Sequence, residues 1–260
     1  MLKKLLKYDL KAIGNTLFPI YGITLALAVL ARIFIEIKDI SAVFRFPMGL
    51  VTGLALLLTI AVPFVTFIVG IDRFNKQLAK DEGYLTHTLP VKKHTIISSK
   101  LISQTLFEIL AMLVLFISIC IIGDMDLNQI ANLIDTLFKM FAEYKVLTPA
   151  LILAIMLAGY TVITLLVYAA ISFGQKHATN KGKFSILYGA ILYIIQQLIT
   201  ALVFTPLMQD ESIMAELEKT LPSATVLNIS LGISLTVLII TAVVYFMLTT
   251  KNFEKKLNLE

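Results

Sequence analysis

The side chains that could do chemistry in this sequence are few and scattered among apolar neighbours. Glu108 lies about seven residues into the apolar run 101–123, roughly 10 Å along a helix at 1.5 Å per residue. A carboxylate at that depth can pair with Lys100, meet a neighbouring chain, face a cavity toward one surface, or simply mark the wet edge of a bundle. Gln196 and Gln197 lie deeper in the run 184–208, where an amide either hydrogen-bonds another helix or lines a polar path. Thr59, Thr66 and Thr200 place hydroxyls at similar depths, and Tyr160, Thr161, Thr164 and Tyr168 do so along 148–173. Proton- or sodium-coupled transport needs ionisable groups at depth, and one shallow carboxylate argues against it.

Arrangements for catalysis do not occur. His87, His94 and His177 are far apart in polar stretches, lack metal-ligand spacing, and read as solvated loop residues. There is no GxSxG elbow and no phosphate loop; Gly182-Lys183 lacks both the upstream glycine and the strand–helix context. Cys120 is the single cysteine, so no internal disulfide forms, and it reads as a small packing residue. The chain is therefore expected to be no enzyme and to bind no metal or cofactor of its own.

Six apolar runs must position those groups: 17–35, 48–71, 101–123, 148–173, 184–208 and 225–248. Each reaches the ~20 residues with which an α-helix crosses a bilayer core. With 58% hydrophobic residues, the expected fold is all-α: a polytopic membrane protein with six spans in one domain over 1–260. Pro63 is expected to kink the second span, and Gly53, Gly70, Gly159 and Gly189 to permit close packing. The start could mimic a signal peptide, with lysines, an apolar run and Ala26-Leu27-Ala28. The run is longer than a signal core, however, and its removal would leave five spans.

Basic residues alternate across these runs. Sixteen of the 22 lie in residues 1–16, 72–100, 174–183 and 249–260. The other connections hold Arg32, Lys38, Arg45, Lys139, Lys145 and Lys219 against ten carboxylates. The positive-inside rule then places both termini in the cytoplasm. The net charge of +5 is mostly this topology signal, so nucleic acid is not an expected partner.

The connections carry their own patterns. Leu2, Leu5, Leu6, Leu10 and Ile13 recur at helical spacing opposite Lys3, Lys4, Lys7 and Lys11. This predicts an interfacial amphipathic helix over 1–16, lying against membrane lipid and turning into the bilayer near Gly14-Asn15. An outer amphipathic helix is expected within 124–145, capped by Asp126, and one or two helical turns within 209–223. The longest inner connection, 72–100, alternates charges at helical spacing over 72–82, with Phe74 and Leu78 on one stripe. Gly83 suits the end of a short helix there and Pro90 the start of the next segment.

That connection reads FNKQLAKDEGYLTHTLPVKKHTIISSKLI, after a lysine-rich start LLKYDLKAIG and two spans. It resembles the type-2 ABC exporter permeases of Gram-positive bacteria. The likeness rests on Asp81-Glu82-Gly83-Tyr84-Leu85, on Leu89-Pro90-Val91, and on the six-span layout. The resemblance implies a permease fold, a cytoplasmic ATPase subunit that holds ATP and Mg, and a second permease chain, identical or related. It also implies a coupling helix within 73–87 that docks on the ATPase, drawing on Arg73, Phe74, Lys76, Lys80, Asp81, Glu82, Gly83, Tyr84 and Leu85. By the same likeness the second and fifth spans line a central path, which makes Thr59, Thr66, Gln196 and Thr200 its candidates, with Glu108 nearby. The expected activity is export of amphipathic or hydrophobic cargo, antimicrobial peptides foremost. The alternatives are a non-transporting scaffold or sensor that holds a cytoplasmic partner, and a proton-coupled carrier.

Overall fold

A segment surrounded by hydrocarbon must satisfy every backbone N–H and C=O within itself, so long apolar runs become helices. The computed structural model describes residues 2–37, 42–79, 83, 91–143, 147–177, 179–209 and 223–254. Among them are seven helices and no strand: α1 (Leu2–Glu36), α2 (Ala42–Ala79), α3 (Lys93–Ile122), α4 (Leu127–Glu143), α5 (Leu147–Gly174), α6 (Lys181–Gln209) and α7 (Ser223–Glu254). All but α4 are long and apolar enough to cross a membrane, which makes this a multi-pass membrane protein.

Two expected boundaries are absent. α1 runs unbroken through Gly14-Asn15 and Pro19, so no separate interfacial helix turns into the bilayer there. Its 35 residues extend about 52 Å at 1.5 Å per residue, well beyond a ~30 Å hydrocarbon core. Gly14 serves packing instead, since a Cβ there would lie 2.8 Å from the Phe18 ring and 3.4 Å from Phe107. No separate helix begins at Asp72 either: α2 continues through Asp72 to Ala79, and 80–82 lie outside the described residues. Hydropathy falls at the first charge, but helical hydrogen bonds do not end there, and Phe74 and Leu78 go on burying the same stripe.

The amphipathic α4 forms where the pattern predicts it. The Asp126 carbonyl accepts from Ile130 N–H at 2.9 Å, and the Asp126 N–H donates to Gln129 Oε1 at 3.3 Å. That reciprocal bond from the third helical position is the glutamine form of a capping box. Just before it, Gly123 N–H reaches the Ile119 carbonyl at 2.8 Å, and Asp124 adopts a left-handed φ of 55°. Cys120 is buried with a free thiol, in keeping with a packing role. The turns expected within 209–223 fall almost wholly on 210–222, outside the described residues.

The chain's contacts group into two units. The first comprises 1–73 with 98–136, and the second 74–97 with 137–260. Ile13, Leu17, Tyr21, Val62, Phe107 and Ala111 form the core of the first. In the second, α5 packs against both α6 and α7, burying Leu165, Tyr168, Ala169, Tyr245 and Phe253.

Candidate functional site: an anchored connection and two sets of buried polar groups

The α2–α3 connection has both ends fixed within the second unit. Phe74 is fully buried; its ring stacks on Tyr168 of α5 with centroids 3.5 Å apart, and meets Phe253 of α7 edge-on at 5.9 Å. Leu78 on the same stripe of α2, and Ile96 and Ile97 at the start of α3, are also fully buried. Asn252 donates to Ser172 Oγ at 3.0 Å and ties α7 to α5 beside that stack. Two helices pinned this way move with their connection, because close-packed interiors transmit displacement.

Of the expected coupling residues, Phe74 is turned inward and anchors the segment to the chain. Lys76 is exposed, Arg73 is half-buried, and Gly83 is helical and buried. The Arg73 Nε is enclosed without a hydrogen-bond partner among the described residues. Lys80, Asp81, Glu82, Tyr84 and Leu85 lie outside the described residues.

Buried polar groups in the first unit form two knots. Asp9 of α1 accepts from Ser99 Oγ at 2.6 Å and pairs with Lys100 of α3, and both members of the ion pair are nearly buried. Lys100 is therefore paired with Asp9, a partner from another helix. Eight residues along one helix separate Lys100 from Glu108 by about 12 Å of rise, whereas packing lays α1 directly alongside.

Deeper, the Tyr21 hydroxyl shares a hydrogen bond with Thr66 Oγ1 at 2.9 Å and donates to the Phe107 carbonyl at 3.1 Å. Gln104 donates to the Thr66 carbonyl at 3.3 Å. Gly70 makes room for that amide, because a Cβ there would fall 1.3 Å from Gln104 Oε1. Glu108 is buried one turn beyond Gln104, within electrostatic reach of Tyr21. Thr66 and Glu108 thus adjoin one polar cluster. Thr59 is buried too, but its hydroxyl bonds only the Ala55 carbonyl of its own helix at 2.8 Å.

Gln196 and Thr200 belong to the second unit. Tyr245 of α7 donates to Gln196 Oε1 at 3.2 Å and approaches the Leu192 carbonyl at 3.3 Å, joining α7 to α6. Thr200 donates to the Gln196 carbonyl at 3.0 Å. Of the two uses open to Gln196, the structure displays helix joining.

His177 departs from the solvated reading. Its ring stacks on Phe184 at 3.7 Å, and Nε2 lies 3.2 Å from the Tyr188 hydroxyl. The aromatic residues of α6 begin right after a short turn and capture it. His94 is exposed, and His87 lies outside the described residues. No group of three metal-ligating side chains occurs among the described residues.

Sequence reasoning missed Asp9, Tyr21, Gln104, Tyr245 and Phe253, and it named Tyr168 for its hydroxyl, not for the ring that stacks on Phe74. Asp9 had a signal, being the only carboxylate in a lysine-rich stretch. Comparison with protein-family models, curated proteins and solved structures finds no match for this chain.

Proposed function

We propose that this chain is the membrane-spanning permease subunit of an ATP-driven exporter, working with a separate ATPase that docks on the α2–α3 connection. The observation that carries the reading is the pinning of that connection. Phe74 and Leu78 hold one end and Ile96 and Ile97 the other, so a force applied between them reaches two spanning helices at once. The residues between carry the pattern Asp81-Glu82-Gly83-Tyr84-Leu85 and Leu89-Pro90-Val91 that resembles the coupling segment of type-2 ABC exporter permeases. In this reading the partner ATPase holds ATP and Mg and its closure pushes the connection. The apolar spans, with few charges at depth, suit amphipathic or hydrophobic cargo such as amphipathic peptides. Both termini then face the cytoplasm, across a bacterial plasma membrane.

The decisive experiment is co-purification with an ATPase that lacks membrane spans, followed by export assays. Rim charges contribute little singly, whereas a central aromatic anchor contributes about 2 kcal/mol or more. Tyr84→Ala, or Asp81→Lys with Glu82→Lys, should release the ATPase or uncouple hydrolysis from export, while Lys251→Ala should do little. Full association and export by the loop variants would move the contact to the α5–α6 connection. Association without any ATP-dependent export would favour a scaffold or sensor.

Orientation has its own test. In a Cys120→Ala background, Asn128→Cys should react with an impermeant thiol reagent on intact cells, and Asn180→Cys should not. The opposite labelling would remove the connection from the cytoplasm and the exporter reading with it.

A further inference from the structure

The charges of α1 mark where the bilayer meets it. No charge lies between Lys11 and Arg32, and the 21 residues from one to the other rise about 31 Å, close to a ~30 Å hydrocarbon core. Lys11 therefore stands at headgroup level, next to the pair of Asp9 and Lys100, and 2–10 rise beyond the core. Lys4, Lys7 and Lys11 recur in steps of three and four, all exposed. The same stripe continues into the bilayer through Asn15 to Phe18, also exposed. Asp9, the only carboxylate before Glu36, is already engaged by Lys100 and Ser99.

Along that stripe a groove of about 510 Å³ opens between α1 and α3. Leu10 and Phe18 form one wall, Leu106, Ile109 and Leu110 the other, and Lys11 stands at the headgroup end. The buried Phe107 ring lies at its base, with Phe18 edge-on to it at 5.9 Å. Gly14 leaves room for the Phe18 ring to lie back along the helix, since a Cβ there would come within 2.8 Å of it. From Lys11 to Phe18 the groove descends about 10 Å, which keeps it within one leaflet. A cation above an apolar trough is the complement of a lipid, with its charged head and hydrocarbon chain.

We infer that this groove seats one acyl chain of an anionic phospholipid, whose phosphate oxygens accept from the Lys11 and Lys7 ammonium groups. Every lipid offers hydrocarbon to the walls, so the selection comes from the head. A zwitterionic head brings its own cation among the lysines, whereas an anionic head leaves its phosphate charge for them to balance. A helix of another protein fits less well: it could cover the walls, but it would also have to cover Lys11 and supply a counter-charge at that level. The inference stands on α1 and α3 within the first unit and does not need the exporter reading.

The chain has no tryptophan, so one introduced in the groove is its sole indole reporter. The test uses Phe18→Trp in the purified full chain, reconstituted in phosphatidylcholine vesicles. Phosphatidylglycerol brominated in the upper half of one acyl chain should quench it at about one fifth, or less, of the mole fraction needed with phosphatidylcholine brominated in the same way. Lys11→Gln should raise that mole fraction about fivefold, the loss expected for one lysine near the surface. Lys7→Gln should act in the same direction, and Lys251→Gln should leave it unchanged. Ile163→Trp, exposed on α5, should show no preference between the two lipids. Ile109→Trp, on the facing wall, reports the same groove should Phe18→Trp fail to insert. Equal quenching by both lipids, a preference that survives Lys11→Gln with Lys7→Gln, or the same preference at Ile163→Trp would overturn the inference. Quenching by neither lipid, from inserted protein, would mean that another protein surface covers the groove and would overturn it as well. Loss of ATPase binding with the lipid preference retained would sink the exporter reading alone, and the reverse result would sink only the lipid seat.

Discussion

In the first unit the tertiary contacts with named atoms are largely polar: Asp9 with Ser99 and Lys100, Tyr21 with Thr66 and the Phe107 carbonyl, Gln104 with the Thr66 carbonyl. In the second, ring contacts stand beside the hydrogen bonds of Tyr245 and Asn252: Phe74 on Tyr168 and Phe253, His177 on Phe184, Phe173 beside Tyr188. Directional bonds in a low-dielectric interior fix a register, because a slip would strand every buried group. Ring contacts hold through area and dispersion, which are less demanding of direction. The first unit thus relies more on bonds between its helices, and the second, which holds the ends of the α2–α3 connection, adds ring packing to them.

Substitutions can break that contrast, and the largest effect is expected from the aromatic side. Phe74→Ala empties a fully buried ring site and should cost about 3–5 kcal/mol, read as a lowered unfolding midpoint in detergent. Tyr168→Ala added to it should cost less than the sum of the singles, because the two rings share one contact. A neutral Phe74→Ala would mean that the stack does not hold the connection.

Lys100→Met tests the polar side and should approach the same size. Removing one partner leaves Asp9 charged and nearly buried, typically at about 3–5 kcal/mol. Asp9→Asn combined with Lys100→Met should recover most of the loss, since no lone charge then remains. Failure of that rescue would assign Lys100 a role beyond the pair.

The smallest and sharpest effect belongs to Gly70→Ala. The added methyl must displace the Gln104 amide and break its bond to the Thr66 carbonyl, at about 1–3 kcal/mol. In a Gln104→Ala background the same change should cost almost nothing. A persistent cost there would place the strain in the backbone instead.

The positions that sequence reasoning placed well are those whose signal is local. The six spans followed from run length, and α4 from the spacing of its apolar residues behind Asp126, whose N–H is met by Gln129 three residues later. Boundaries were harder. Gly14-Asn15 resembles a break and Asp72 resembles a span end, yet both lie inside helices because neighbouring side chains bury across them. Gly70 carried the packing signal common to membrane glycines, but nothing pointed to Gln104 as the group that needs the space.

By itself the sequence determined that the chain is helical and built to cross a membrane six times, since hydrocarbon leaves an apolar run of ~20 residues no other way to satisfy its backbone. It also determined which residues are polar at depth. Only the tertiary structure decided what those residues do. Asp9 and Lys100 lie 91 positions apart, Tyr21 and Phe107 86, and Gln196 and Tyr245 49. Helical periodicity assigns each side chain to a face of its own helix, but the choice of the facing helix and its register comes from packing whole surfaces together.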